Sequence, residues 1–474
     1  MNPRVWFCLG LVASSLLFGC STMGEDPQNH ATATPGIAIP DLAPRDTHSN
    51  NKSTLVVAST SKAAMAEVLA AGGTVTHDLP LLNAVGAKLT TGIINKLSEN
   101  SDIVNLVVDD NVSTEESSEP AASATALTWL IEQQGLPTQN AWLDSLTNSL
   151  TPGLTGNGVG LAIIDTGIGE AGSTLEWHPN IIARYNAITD TEGGEVLDST
   201  GHGTHLTSLV TGAGDTLKGI APNTPLIVVK AFTSKDSANF LDVIRAVQWV
   251  VANKERLGIR ILNLSVSAST ELPYHLDPLN RALTKAWEHG LVVVVSAGNQ
   301  GPTPSSVTAP GNNPWLISVG AASFNDARET GEVVPFSGRG PTASGHIKPN
   351  IVAPGLRLAG LLAKDARRPS HEPVELTEAG LWVTSGASQA SAVVAGMVAL
   401  LLEARPALSN DDIKCLLANS ATPLTNNDQS AISPMAQGRG LINLRGALTS
   451  EHTRCAERLE GFSPNTAIEG AYLP

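Results

Sequence analysis

Aromatic residues and positive charge are both scarce in this chain of 474 residues. Phe, Trp and Tyr together make up 4% of the sequence, and 29 Lys and Arg residues stand against 44 Asp and Glu, which gives a net charge of -15. Binding to nucleic acid requires clusters of Lys and Arg for the phosphates and aromatic side chains on which bases stack. We therefore expect no nucleic-acid partner.

Cysteine is scarce as well, with four residues in the whole chain. Cys8 falls in the N-terminal apolar run, and no group of His, Cys and Glu has the spacing of a zinc site. In an exported protein, an oxidising compartment permits a disulfide between Cys415 and Cys455. Two separate buried thiols are the alternative. The sequence does not identify any metal ligand.

The N-terminal apolar run is too short to span a membrane. Arg4 is followed by apolar residues 5–18, which predicts an export signal over residues 1–19. The end of this run, residues 17–20, resembles a bacterial lipobox, in which the cysteine becomes the lipidated first residue. The resemblance implies that Cys20 anchors an exported protein, and Ser21 favours the outer membrane, on its periplasmic face or at the cell surface. An ordinary signal peptide cut nearby is the alternative.

Composition and pattern divide the rest of the chain into segments. Residues 20–52 lack apolar periodicity and predict a flexible tether. Residues 53–112 predict the order strand, helix, strand, strand, helix, strand, which fits a small ferredoxin-like α+β domain. The charged, serine-rich stretch 113–125 predicts a linker, and residues 451–474 form a C-terminal extension with no readable function.

Residues 126–450 predict a large α/β domain. Short apolar runs alternate with helical stretches, which is typical of a mainly parallel sheet covered by helices on both faces. With 42% apolar and 15% charged residues, the chain can fill a large core. In such sheets, ligand sites lie just beyond the carboxyl ends of the strands. That rule directs attention to the polar residues that follow each run.

Four of these polar residues could form a catalytic centre. Asp165 ends the first strand, His202 opens a helix in a Gly-flanked turn, Asn299 follows a later strand, and Ser388 lies where a turn becomes an apolar helix. A carboxylate can orient a histidine, a histidine can activate a serine hydroxyl, and an amide can stabilise an oxyanion. Each residue alone also has a structural interpretation, as a turn, a cap or a closely packed helix. His205 is predicted to be a packed structural histidine rather than a metal ligand.

The order Asp165, His202, Ser388 and the sequences around these residues resemble the subtilisin-like serine proteases, or subtilases. The matching stretches are residues 163–168, 201–205, 263–265, 296–299 and 385–390. The resemblance implies a three-layer subtilisin-like fold and an endopeptidase for protein or peptide substrates that needs no cofactor for its chemistry. It assigns the triad to Asp165, His202 and Ser388, and the oxyanion donor to Asn299.

The same resemblance implies how substrate and propeptide bind. An extended substrate would pair with Leu264, Ser265 and Val266, between two walls, one formed by residues 265–267 and the other by residues 297–299, which include Ala297 and Gly298. These small or apolar walls favour an apolar residue before the scissile bond. Residues 82–85 resemble subtilisin propeptides, so the domain 53–112 is expected to be an intramolecular inhibitor that is removed by self-processing in the linker 113–125.

The chain also departs from the family pattern. Ala387, Gln389 and Ala392 stand where the family usually has Thr, Met and Pro. These departures leave open a catalytically weak or inactive binding protein on a subtilisin fold. Asn180 replaces an Asp that binds calcium in many relatives, which argues against the usual calcium site. The acidic stretch 190–198 is either another calcium site or a solvated loop.

A serine esterase shares the same triad chemistry. Such enzymes of the α/β-hydrolase class carry their nucleophile in a Gly-x-Ser-x-Gly elbow. The residues around Ser388 do not form that motif. The sequence therefore favours the protease over the esterase.

Overall fold

A computed structural model describes residues 51–108, 111–114, 138–140, 153–172, 177–214, 216–233, 237–268, 272–325, 330–366, 375–426 and 428–451. The predicted signal, almost all of the tether, most of the linker and nearly all of the C-terminal extension lie outside these ranges. Cys20 and Cys455 therefore lie outside them too.

The N-terminal unit has the predicted order of elements. It consists of β1 (Lys52–Ala58), α1 (Ser61–Ala70), β2 (Thr74–Leu79), a 3-10 turn (Pro80–Leu82), β3 (Ala84–Leu89), α2 (Thr91–Ser98) and β4 (Ile103–Val108). The strands form an antiparallel sheet in the order β2-β3-β1-β4. Thr60 and Thr90 cap the two helices, because their side chains accept backbone N–H groups of the first turn. This is the ferredoxin-like arrangement that the sequence predicts.

Sixteen further strand segments follow among the described residues. They are β5 (Asn111–Thr114), β6 (Gly160–Asp165), β7 (Ile181–Asn186), β8 (Thr191–Glu192), β9 (Gly212–Ala213), β10 (Leu217–Lys218), β11 (Leu226–Lys230), β12 (Ser237–Asn239), β13 (Ile259–Leu264), β14 (Val266–Ser267), β15 (Val292–Ser296), β16 (Ile317–Asn325), β17 (Thr330–Val333), β18 (Ile351–Pro354), β19 (Leu358–Gly360) and β20 (Trp382–Thr384). The helices beyond α2 are α3 (His202–Thr211), α4 (Phe240–Leu257), α5 (Pro278–Glu288), α6 (Ala387–Ala404), α7 (Asn410–Ser420), α8 (Pro434–Gln437) and α9 (Leu444–Thr449).

One large sheet organises the second part of the chain. Its nine strands run in the order β17-β16-β15-β13-β6-β11-β7-β8, with β18 beside β16. Only the pairings of β17 and β8 are antiparallel in this sheet. Every residue of β6 and β15 is buried, which explains why these strands are continuous apolar runs without alternation.

Helices cover this sheet as the sequence predicts. Helices α3 and α6 contact each other, and α6 packs on β13, β15, β16 and β18. Helices α4 and α5 form a second contacting pair, which packs on β6, β7, β13 and β15. The α/β class with a mainly parallel sheet between helical layers is therefore confirmed.

Helix α6 is buried in the core. Among the described residues it is the one helix whose length and apolar composition would let it cross a membrane, and 89% of it is buried inside the protein. Its composition therefore reflects packing in a protein core.

Helix α7 begins after a capping box at Ser409. The hydroxyl of Ser409 accepts from the backbone N–H of Asp412, whose carboxylate accepts from the backbone N–H of Ser409. Cys415 lies on this helix and is disulfide-bonded. The predicted partner, Cys455, lies outside the described residues.

The N-terminal unit packs against α4. His77 Nε2 lies 3.0 Å from Asp242 Oδ1, which also accepts a 2.6 Å hydrogen bond from Arg245. The side chain of Gln248 also joins the two parts. Its Nε2 donates to the carbonyl of Asp78 at 3.0 Å, and its Oε1 accepts from the backbone N–H of Leu81 in the 3-10 turn. The two parts of the chain therefore meet through polar groups that are paired with each other.

Helix α3 contains a fully buried histidine. His205 is 0% exposed, and its Nε2 lies 3.2 Å from the carbonyl oxygens of Leu358 and Trp382, to which it donates. The edge of its ring also contacts the Trp382 ring, with centroids 5.3 Å apart. Burial, and next the neighbouring His202, lower the pKa of His205 to about 4. His205 is therefore neutral in the folded protein, as expected for a structural histidine.

We expect acid to destabilise the fold through His205. In the unfolded chain a histidine titrates near pH 6.5, so between about pH 6.5 and 4 the unfolded state binds a proton that the folded state rejects. The free energy of unfolding should fall over that window, by on the order of 3 kcal/mol from this group. Urea unfolding from pH 7 to 4, with Ser388 replaced by Ala to prevent proteolysis, measures this loss. A His205→Gln variant should be less stable at pH 7 but show a shallower fall; equal slopes would refute the prediction.

Candidate active site

The predicted site residues meet at one edge of the sheet. Asp165 is the last residue of β6, Ser265 directly follows β13, and Ala297 directly follows β15. Strand β13 pairs in parallel with both neighbours, with Leu264 opposite Ile164 on one side and Val295 on the other. Since parallel strands end at the same edge, their following residues form one surface. Strand β6 lies between β13 and β11, both of which come later in the chain. The side on which later strands join the sheet therefore changes at β6.

Asp165 and His202 form a buried hydrogen-bonded pair. His202 Nδ1 lies 2.7 Å from Asp165 Oδ1, and the two residues are 0% and 1% exposed. The backbone N–H of Thr166 donates to the same carboxylate oxygen at 2.8 Å. A carboxylate in this position fixes the imidazole ring and stabilises its protonated form.

Two glycines allow α3 to begin next to β6. Gly201 has a φ of 99°, a conformation that glycine adopts without steric cost. At Gly203, a Cβ would lie 2.4 Å from the carbonyl oxygen of Gly167 and 3.1 Å from Asp165 Oδ1. Any side chain there would push the helix away from the carboxylate. The Gly-His-Gly sequence is therefore explained by the close packing of α3 against the end of β6.

The carboxylate of Asp198 holds the same turn from the other side. Its Oδ1 accepts from Thr166 Oγ1 at 2.9 Å and from the Gly201 N–H at 2.8 Å. Its Oδ2 accepts from the N–H and the hydroxyl of Thr204 at 2.8 and 2.6 Å. Sequence reasoning missed this role and gave stretch 190–198 only as a calcium site or a solvated loop. An Asp just before a helix start is the signal that indicates a cap.

The described part of the chain contains no cluster of potential metal ligands. Among those residues, no group of three or more His, Cys, Asp and Glu could hold an ion. Asp198, at the end of the acidic stretch, is buried at 3% exposure and is occupied by N–H and O–H donors.

Ser388 lies at the N-terminus of α6. It is the second residue of the helix, is 1% exposed, and its Oγ lies 3.5 Å from the Ser265 carbonyl oxygen. Asn299 Oδ1 accepts a 2.9 Å hydrogen bond from the N–H of Ala387, the first helical residue. A hydroxyl, a helix N-terminus and an amide donor therefore lie together, as oxyanion chemistry requires.

A buried polar network fixes the helix that contains Ser388. Ser391 Oγ lies 2.6 Å from Ser265 Oγ and donates to the Ser388 carbonyl at 2.9 Å. Asn263 Nδ2 extends the network to Ser391 Oγ at 3.4 Å and to the Val294 carbonyl at 3.3 Å. Sequence reasoning missed Ser391. Its spacing of three residues from Ser388, on the same helical face, is the available signal.

Strand β5 lies directly beside the site. It pairs in antiparallel fashion with β12 on one side and with β14 on the other, where Thr114 is opposite Val266 and Ser113 is opposite Ser267. The extended backbone that leaves the N-terminal unit is therefore the middle strand of a three-stranded sheet. Its last two described residues, Ser113 and Thr114, had been predicted as the start of the linker.

A threonine occupies the space between the two predicted substrate walls. Thr308 Oγ1 lies 3.0 Å from Ser267 Oγ, and a Cβ on Gly298 would lie 2.5 Å from the same Thr308 oxygen. The backbone N–H of Thr308 also donates to the Ala297 carbonyl at 3.2 Å. Sequence reasoning missed Thr308, because nothing in its local sequence indicates that it reaches this cleft.

Comparisons with known proteins identify the family of the chain. A model of the subtilase family matches residues 156–440. Serine protease AprX of Bacillus subtilis (strain 168) is 32% identical over 311 residues, covering 63% of this chain and 68% of that protein. Subtilisin E of Bacillus subtilis (strain 168) is 25% identical over 381 residues, covering 79% of this chain and 83% of that protein.

The fold also occurs among solved structures. The crystal structure of fervidolysin from Fervidobacterium pennivorans, a keratinolytic enzyme related to subtilisin, superposes with a TM-score of 0.62 at 24% identity. The match covers 86% of this chain and 62% of that one, and it concerns the fold alone. The family match spans all four predicted catalytic residues. The chain therefore belongs to the subtilase family and is a subtilisin-like serine endopeptidase.

Proposed function

We propose that Asp165, His202 and Ser388 are the catalytic triad of this endopeptidase and that Asn299 is its oxyanion donor. The observation that carries the proposal is the buried 2.7 Å bond between His202 and Asp165, at the sheet edge where Ser388 begins its helix. A histidine that is held through Nδ1 presents Nε2 as the base. The arrangement suits attack by a serine hydroxyl on a carbonyl carbon.

The steps follow from these positions. Ser388 Oγ attacks the carbonyl carbon of the scissile peptide bond, and its proton passes to His202 Nε2. The oxyanion accepts hydrogen bonds from Asn299 Nδ2 and the backbone N–H of Ser388. The peptide C–N bond breaks, and His202 gives its proton to the leaving amine. Water, deprotonated by His202, then hydrolyses the ester, releases the acid and restores Ser388.

We also infer that the N-terminal unit is an intramolecular inhibitor removed by self-processing. Strand β5 supports this, because it pairs with Val266 exactly as an extended substrate is expected to pair. The residue before Val266 is Ser265, whose carbonyl lies 3.5 Å from Ser388 Oγ. Thr114, the last described residue of β5, is thus paired with the residue that follows Ser265. A catalytically weak or inactive binding protein, suggested by Ala387 and Gln389, is the second candidate.

Ser388→Ala should abolish processing. We expect the wild type to yield a mature fragment that begins within residues 115–125, close to Thr114, because β5 leads to the nucleophile there. The variant should keep the full mass of its unprocessed chain, since it lacks the attacking oxygen. Intact-mass measurement and N-terminal sequencing provide the readout.

The matched control for this experiment is Ser420→Ala, a serine on α7 away from the site, which should process normally. A first-order rate that does not depend on protein concentration would identify the step as intramolecular. Intact wild type and intact variant, together with no labelling of the wild type by a fluorophosphonate probe, would favour the inactive binding protein.

We propose that Cys20 carries the lipid anchor of an exported protein held at the outer membrane, in line with the lipobox-like stretch 17–20. Several acyl chains on one residue give durable membrane attachment. We expect Cys20→Ser to shift the protein from the detergent phase to the aqueous phase in Triton X-114 partitioning. Cys8→Ser, within the signal itself, is the matched control and should remain in the detergent phase. Retention of the Cys20→Ser variant would contradict the anchor.

We further infer that Thr308 selects small residues before the scissile bond. Its hydroxyl lies between Ser267 and Gly298, so it narrows the space between the walls that the sequence predicts to be small or apolar. Thr308→Gly should raise kcat/KM for substrates with a large apolar residue at that position relative to those with Ala. Adding or removing room for one or two methylene groups in a pocket changes the ratio of kcat/KM between two such substrates by roughly 10- to 100-fold. An unchanged ratio in matched peptide substrates would refute the role.

A further inference from the structure

Gln389 has a buried side chain amide with no hydrogen-bond partner. The residue is 1% exposed, and neither its amide oxygen nor its amide nitrogen has a partner among the described residues. Burying an amide without such bonds is costly, and most buried polar side chains are paired. Packing alone therefore does not explain why a buried, unpaired amide lies next to Ser388.

A second buried glutamine provides a comparison within the same protein. Gln437 is 5% exposed, and its Nε2 donates to the carbonyls of Leu424 and Ile432 at 3.2 and 2.7 Å. Its Oε1 accepts from the backbone N–H of Leu424 at 2.7 Å. The fold thus pairs both ends of a buried glutamine where the role is structural. Gln389 differs in that both ends remain available.

The position of Gln389 places its amide beside the oxyanion donor. A Cβ on Gly386 would lie 2.5 Å from Gln389 Oε1 and 3.2 Å from Asn299 Nδ2. The two amide groups therefore converge on the same side of Gly386, in the turn that precedes Ser388. Rotation of the Gln389 amide by about 180° exchanges its oxygen and nitrogen, so that either can face this point.

We propose that Gln389 is a further catalytic residue, whose side-chain amide donates a hydrogen bond to the substrate oxyanion alongside Asn299. The inference rests on the proposed function of Ser388. A donor that gains its partner only when substrate is bound, and gains most as the oxygen becomes charged, stabilises the transition state more than the ground state. This accounts for an amide that is buried yet unpaired in the free enzyme.

The test is Gln389→Met, which has a similar length and no hydrogen-bond donor. We expect kcat to fall by roughly 10- to 100-fold, the effect of losing a hydrogen bond to a charged group, while KM changes little. The melting temperature should stay the same or rise, because an unpaired buried amide has been removed. Rates are measured on the mature enzyme with a peptide substrate and normalised by fluorophosphonate titration of active sites.

Gln437→Met is the matched control, and its effects on the melting temperature and on kcat should differ from those of Gln389→Met. It removes a fully paired glutamine, so its melting temperature should fall while kcat per active site stays unchanged. Gln389→Glu is a second variant that keeps the shape of the side chain. Its carboxylate would face the oxyanion, so its kcat should lie below that of Gln389→Met at neutral pH.

The outcomes separate this inference from the proposed function. If the wild type cleaves substrate and Gln389→Met matches its kcat, the role of Gln389 is overturned and the triad stands. If total activity falls only in proportion to a loss of folded, titratable enzyme, so that kcat per active site is unchanged, Gln389 is a packing residue. If the wild type neither cleaves nor reacts with the probe, the proposed function fails and this inference fails with it.

Discussion

The buried hydrogen bond between Asp165 and His202 depends on how closely α3 approaches the end of β6. Gly203 removes the side chain that would separate them, and Asp198 accepts donors from both elements at once. The helix that contains Ser388 is held in a comparable way, by Ser391 and Asn263 bridging to the neighbouring strand. The geometry of the candidate site thus results from close packing together with buried hydrogen bonds. A buried polar group that loses its partner costs free energy.

Backbone pairing is common to the inhibition and the substrate recognition that we propose. Strand β5 pairs with the strand that follows Ser265, so an extended peptide at this edge needs no particular side chains to bind. The N-terminal unit adds a separate polar contact with α4, which includes His77 and Asp242. Thr308 contacts residues of both walls, which is the basis of the selectivity that we propose for it.

Local patterns predicted the elements well. The helix over 202–211, the capped helix after Ser409 and the antiparallel N-terminal unit agree with the structure within a few residues at their ends. Apolar periodicity and capping residues lie within single elements, so the sequence displays them directly. The short strands β5 and β14 were harder to predict, because two to four residues carry no period and exist only through their partners.

The sequence by itself determined which residues belong to the candidate site, because Asp165, His202, Asn299 and Ser388 each follow a local strand-end or helix-start signal. It also determined the order of helices and strands. Only the tertiary structure decided what surrounds them: that Asp198 is buried and fully bonded, that Thr308 reaches the cleft, and that Gln389 is buried without a partner. These properties arise between residues far apart in the chain, and burial and pairing are set by contacts that no local pattern contains.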